Sequence, residues 1–115
     1  MSSGGSTGPR FDPDLFSAEV TQGDGEVVVA VRGEIDVVTA PYLWETIAEV
    51  ISDTKRLVVD LSETEFIDST GLGVLVRALK RLRHHGGDLI LRSPKSNARK
   101  VLHMTSLDRV MTVVD

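Results

Sequence analysis

The feature that most constrains this fold is a buried strand followed closely by a polar turn and an amphipathic helix. Residues 56–61 are an almost unbroken apolar run of strand length, and a helix is predicted after Ser69. Its apolar residues recur at helical spacing: Leu72, Leu75, Val76, Leu79 and Leu82. A loop is predicted to lead from the strand to Asp68-Ser69-Thr70-Gly71. Because Asp, Ser and Thr satisfy free N–H groups at helix starts, these four residues predict a helix N-terminus.

The rest of the chain alternates strand patterns with helix patterns. Strands are predicted at 17–22, 26–32, 87–92 and 110–114, and helices begin at Thr39-Ala40-Pro41 and at Ser93-Pro94-Lys95-Ser96. The first helix buries a stripe of Leu43, Ile47, Val50 and Ile51. Gly23-Asp24-Gly25 is typical of a hairpin turn, and Gly86 is expected to end the second helix. The predicted order is ββαβαβαβ.

This order predicts a single small α/β domain with helices packed on a mixed sheet. The sheet opens with an antiparallel N-terminal hairpin, and the later strands, separated by single helices, add in parallel. We expect the domain to span residues 15–115. Residues 1–10 contain almost no apolar side chains and are predicted to be a disordered tail.

Composition excludes several classes of protein. The 115 residues include no cysteine, which excludes disulfides and thiolate chemistry, and no apolar run approaches 18 residues. We therefore expect a cytoplasmic protein with no membrane partner. The net charge of −4 disfavours direct binding of nucleic acid.

A basic stripe of four residues lies on the second predicted helix, opposite its apolar face: Arg77, Lys80, Arg81 and His84. No aromatic residues interleave with the stripe to stack on bases, so we interpret it as a solvated face that complements the C-terminal end of the helix dipole. Trp44 lies off the buried stripe of the first helix and is expected to cover the edge of that helix.

No catalytic or metal-binding constellation is found in the sequence. His84 and His85 are adjacent, whereas a metal site on a helix requires ligands at i and i+4. Gly71 and Gly73 are accompanied neither by the Lys of a phosphate-binding loop nor by the third Gly of a dinucleotide-binding motif. We expect no catalytic residues, no metal and no cofactor.

Ser69 has two interpretations from the residues alone. It is a plain helix N-cap worth about 1 kcal/mol, or it is a site compatible with a phosphate, since the free N–H groups and the dipole of a helix N-terminus favour anions. Gly71 and Gly73 remove side-chain bulk, so another backbone or a ligand is able to approach the first turn closely.

Two motifs resemble the STAS domain of the anti-sigma factor antagonist type. They are Phe66-Ile67-Asp68-Ser69-Thr70-Gly71-Leu72-Gly73 and Gly33-Glu34-Ile35-Asp36, the second matching a turn that follows an early strand in the family. The resemblance implies a stress-response regulator of transcription that works by partner switching. The unphosphorylated protein captures an anti-sigma factor that is also a serine kinase and so frees a sigma factor.

The same resemblance implies the roles of individual residues. Ser69 is the phosphorylated residue, and a serine phosphatase resets it. The partner-binding residues are Asp36, Asp68, Ser69, Thr70, Gly71 and Gly73. We expect Ser69 rather than Thr70 to be modified, because it directly follows Asp68 and because the two hydroxyls are expected to differ in exposure.

Two alternatives remain open on the sequence. One is a stand-alone STAS module that acts as a scaffold or senses a small ligand within a larger signalling assembly. The other is a nucleotide-binding or nucleotide-hydrolysing enzyme, which rests only on the glycine-rich start of the second helix.

Overall fold

Five strands and three helices make up the fold in a computed structural model that describes residues 15–115; the tail predicted over residues 1–10 lies outside these residues. The strands are β1 Phe16–Gly23, β2 Glu26–Ile35, β3 Arg56–Ile67, β4 Asp88–Arg92 and β5 Thr112–Val114. The helices are α1 Ala40–Val50, α2 Ser69–His84 and α3 Ser96–Met104, with short 3-10 turns at Ile51–Asp53 and Leu107–Arg109. This order is the one predicted.

The sheet has the strand order β1-β2-β3-β4-β5. β1 and β2 pair antiparallel through the predicted hairpin, and every later pair is parallel. The prediction of a small mixed α/β sheet is confirmed. Parallel pairing aligns the carboxyl ends of β2 and β3 at one edge, with Ile35 opposite Ile67.

The predicted loop after Leu61 is wrong, because β3 continues as a strand to Ile67. The extension contains mostly polar residues, so its sequence does not show a strand pattern. Thr64 is nevertheless buried, and its hydroxyl donates to the carbonyl of Val31 on β2 at 2.9 Å. A buried hydroxyl with a hydrogen-bond partner is tolerated within a strand. Only Asp68 therefore separates the end of β3 from the start of α2.

The Gly33-Glu34-Ile35-Asp36 motif does not lie in a turn as expected. Its first three residues belong to β2, where register shifts against β3 interrupt the regular pairing. Gly33 has a φ of +99°, and a Cβ atom there would lie 1.8 Å from the carbonyl oxygen of Leu15. Glycine is therefore required at this irregular point of the strand.

Smaller boundary differences follow from local hydrogen bonds. The last strand begins at Thr112 rather than at residue 110, because the N–H groups of Val110 and Met111 both donate to the carbonyl of Leu107 in the preceding turn. Ile51 is buried as predicted but lies in the 3-10 turn after α1, and Val50 is only half-buried.

The hydrophobic core lies between one face of the sheet and the helices. Sheet residues in this core include Val27, Val29, Leu57, Val59, Leu89 and Leu91, and helix residues include Leu43, Ile47, Leu75, Leu79, Leu82 and Leu102. The alternate strand positions point to the opposite face, which carries the ion pair between Asp60 and Arg92 at 3.1 Å. Burial raises the pKa of Asp60, but hydrogen bonds from Ser62 and the Arg92 guanidinium outweigh burial, so this pKa lies below its ordinary value.

Candidate functional site

The candidate site lies at the sheet edge where the chain leaves β2 and β3. The backbone N–H of Asp68 donates to the carbonyl of Ile35 at 3.1 Å, which joins the ends of the two strands. Asp36 directly follows Ile35, so the two separate sequence motifs meet here. The carboxyl ends of parallel strands are the edge at which α/β sheets place their functional residues.

Asp68 caps helix α2. Its backbone is extended, and its Oδ1 atom accepts hydrogen bonds from the N–H groups of Thr70 at 2.9 Å and Gly71 at 3.1 Å. The helix therefore begins at Ser69, and the interpretation of Ser69 as the N-cap is wrong. Since the capping work is done by the neighbouring carboxylate, the Ser69 hydroxyl is left free for another role.

Asp68→Ala is expected to lower the free energy of unfolding by about 1 kcal/mol, because two N–H groups lose their acceptor. Asp68→Asn is the matched control: it keeps a side-chain oxygen at the cap and is expected to retain most of the stability. Urea denaturation of the three proteins measures both effects. Equal stability of Asp68→Ala and the parent protein would show that the cap contributes nothing.

Ser69 and Thr70 both present their side chains to solvent. Neither hydroxyl has a hydrogen-bond partner among residues 15–115. Both residues are thus exposed, and Ser69 is distinguished by its position next to the capping Asp68. Both hydroxyls are accessible to a modifying enzyme.

Asp36 organises the turn before α1 in a similar way. Its Oδ1 atom accepts from the N–H groups of Val38 at 3.0 Å and Thr39 at 3.1 Å. The hydroxyl of Thr39 accepts from the Asp36 N–H and donates to the carbonyl of Glu34 at 2.7 Å. The Thr39 side chain thus stabilises the turn through these hydrogen bonds and does not cap the helix.

The two glycines of the first turn of α2 have different surroundings. Gly71 is buried, and a Cβ atom there would lie 2.6 Å from Ile35 Cγ2 and 2.7 Å from Ile67 Cγ1. Gly73 faces open space. The bulk that Gly71 removes is therefore needed for packing within this chain, whereas Gly73 leaves room on the outer surface of the helix.

Three exposed apolar side chains lie close in sequence to Asp36 and Asp68, and sequence reasoning did not select them as partner contacts. Val37 is 69% exposed, Val38 is 46% exposed and Phe66 is 47% exposed. Val37 and Val38 follow Asp36, and Phe66 lies two residues before Asp68. The signal in the sequence was a pair of valines in a turn, where no strand or helix pattern predicts that they are buried. Apolar side chains exposed beside polar ones are typical of protein interfaces.

The charges at the site are negative. Asp36 and Asp68 are half-buried, and neither has an ion-pair partner within the described part of the chain. Residues 15–115 contain no cluster of His, Asp and Glu that suits a metal ion. None of the helices in this range is long and apolar enough to span a bilayer. The site therefore contains an exposed hydroxyl, that of Ser69, beside the Asp68 carboxylate that caps the helix.

Comparison with known proteins places the chain among described relatives. Residues 17–115 match the family model of the STAS domain. Over 98 residues the chain is 34% identical to the anti-sigma-F factor antagonist RsfB of Mycobacterium tuberculosis, covering 84% of this chain and 80% of that protein. It is 30% identical over 98 residues to the anti-sigma-B factor antagonist of Bacillus subtilis, covering 85% and 90%. The crystal structure of an anti-sigma factor antagonist from Mycobacterium paratuberculosis has a TM-score of 0.80 at 36% identity, covering 90% of this chain and 88% of that one.

Proposed function

The chain belongs to the STAS domain family, as its two motifs predict, and we propose that it acts as an anti-sigma factor antagonist. In its unphosphorylated form it binds an anti-sigma factor that is also a serine kinase, and a sigma factor is thereby freed. Phosphorylation of Ser69 ends the capture, and a serine phosphatase restores it. The protein acts in the cytoplasm as a binding protein and not as an enzyme.

The observation that supports this proposal is the free Ser69 hydroxyl at the first position of α2. Asp68 satisfies the first N–H groups of the helix, so Ser69 is not needed as a cap. The exposed Val37, Val38 and Phe66 supply apolar surface around it. A kinase that binds at this edge of the sheet would meet both the apolar side chains and the Ser69 hydroxyl.

The switch follows from electrostatics at the same position. A phosphoserine carries a charge of about −1.5 to −2, and in a closed interface it would lie desolvated beside Asp68 and near Asp36. The N–H groups of Thr70 and Gly71 are not available to compensate it, because the Asp68 carboxylate already accepts from both. A penalty of about 3–5 kcal/mol corresponds to a loss of affinity of about a hundred- to several-thousand-fold.

Phosphopeptide mapping tests which residue is modified. We expect incubation with the anti-sigma factor kinase and ATP to place one phosphate on Ser69 and none on Thr70. Thr70→Ala is the matched control: it removes the neighbouring exposed hydroxyl, and the phosphate is still expected on Ser69. Phosphate retained by Ser69→Ala would contradict the assignment, and the absence of any phosphorylation would favour a scaffold or ligand-sensing module instead.

A further inference from the structure

The outward face of α2 joins the candidate site to the basic stripe. Residues 69, 73, 77, 80 and 84 are spaced by three or four, so they follow one another along the same side of the helix. All five are exposed. Ser69 and Gly73 begin this side, and the basic stripe of Arg77, Lys80, Arg81 and His84 continues it.

The cations of the basic stripe form no ion pair within the part of the chain that the structure describes. Within residues 15–115, carboxylate partners are found for Arg56, Arg83, Arg92, Lys95 and Arg99. No carboxylate of these residues pairs with Arg77, Lys80 or Arg81, although the chain has 17 acidic residues against 13 Lys and Arg. No carboxylate among residues 15–115 therefore neutralises the charge of the basic stripe through an ion pair.

Trp44 on α1 lies beneath two of these cations. The Arg77 guanidinium carbon lies 3.9 Å from the centroid of the Trp44 ring, and that of Arg81 lies 5.4 Å from it. Both distances are within the range of a cation–π interaction. Trp44 itself is half-buried and packs against the core, so it covers the helix edge as predicted. Arg77 and Arg81 thus both lie against one half-buried aromatic ring, a contact that the interpretation as a merely solvated face did not anticipate.

We propose that the basic stripe receives an acidic segment of the same protein partner that binds at Ser69; this inference rests on the proposed function. Continuity along α2 supports this proposal. At about 1.5 Å of rise per residue, Arg81 lies only about 18 Å further along the helix axis than Ser69, so one partner is able to contact both. The open space at Gly73 lets the partner chain lie close to the helix between the two regions. Side chains that already pack against a ring have less freedom to lose on binding, and a group of cations attracts a complementary acidic surface.

The test is a double charge reversal, Arg77→Glu with Lys80→Glu, titrated with the anti-sigma factor at low and at high salt. We expect the affinity at low salt to fall by about ten- to a hundredfold, mainly through slower association, and its salt dependence to become weaker. The matched control is Lys55→Glu with Lys100→Glu. It changes the net charge equally at two exposed positions outside α2 that form no ion pair with another of residues 15–115, and it is expected to alter affinity less than about threefold.

Each result supports or overturns the inference, and circular dichroism melts first establish that both variants are folded. A parent protein that does not bind the anti-sigma factor contradicts the proposed function and the inference with it. A parent that binds, with both variants affected alike, contradicts the inference alone. Binding of duplex DNA by the parent at physiological salt, lost in the α2 variant, would assign the basic stripe to nucleic acid instead.

Discussion

Ser69→Glu is expected to bind the anti-sigma factor about ten- to a hundredfold more weakly than the parent protein, while its melting temperature stays within a few degrees. In the free protein the new carboxylate lies at an exposed helix N-terminus, where a negative charge contributes about 0.3–1 kcal/mol of stabilisation. Repulsion from the Asp68 carboxylate, which already occupies the cap, offsets part of this. In the complex the same charge loses its solvent beside Asp68.

Ser69→Ala is the control for that substitution. It removes the hydroxyl and adds no charge, so we expect near-parent affinity together with the loss of phosphorylation. Calorimetric titrations beside thermal melts distinguish the possibilities. If Ser69→Glu lost affinity because its melting temperature collapsed, the helix start would be a structural element and the electrostatic mechanism would be wrong.

Gly71→Ala is expected to lower the free energy of unfolding by about 1–3 kcal/mol, because the added methyl group overpacks a filled site. The new Cβ would lie 2.6 Å from Ile35 Cγ2 and 2.7 Å from Ile67 Cγ1. Both isoleucines are at most 3% exposed, so neither side chain is able to turn into solvent. Helix α2 would have to move away from the ends of β2 and β3.

Gly73→Ala, two residues later in the same helix, is expected to have the opposite effect on the free energy of unfolding. Its Cβ would meet open space, and alanine in a helix is more favourable than glycine by about 1 kcal/mol. We expect this variant to be at least as stable as the parent in urea denaturation. Equal losses for the two variants would contradict the difference in packing. Weaker binding of the anti-sigma factor by Gly73→Ala is also expected, because the methyl group would occupy the space left for the partner.

The order of elements was predictable from sequence because each apolar run has a local period, but the length of β3 was not. Ser62 and Glu63 read as the start of a loop, and the burial of Thr64 depends on a hydrogen bond to Val31, which lies 33 residues earlier in the chain. A single-sequence pattern contains no information about such a distant acceptor. Pairing with the long β2 strand therefore determines where β3 ends.

The candidate site was predictable where its residues are neighbours in sequence, as Asp68 and Ser69 are. The role of Asp68 as the cap required the backbone geometry, since Asp and Ser are equally good capping residues. The contact of Trp44 with Arg77 depends on how α1 packs against α2, which no local pattern specifies. For the same reason the stripe of cations was predictable from helical spacing, whereas the contact of Arg77 and Arg81 with an aromatic ring was not.

One measurement tests the partner switch most directly. The protein is phosphorylated to completion by the anti-sigma factor kinase, the modified residue is verified by mass spectrometry, and both forms are titrated calorimetrically against that kinase bound to ADP. We expect the unphosphorylated protein to bind and the form phosphorylated on Ser69 to bind at least about a hundredfold more weakly, with unchanged circular dichroism. Equal affinity of the two folded forms would contradict the proposal that the phosphate on Ser69 controls partner binding.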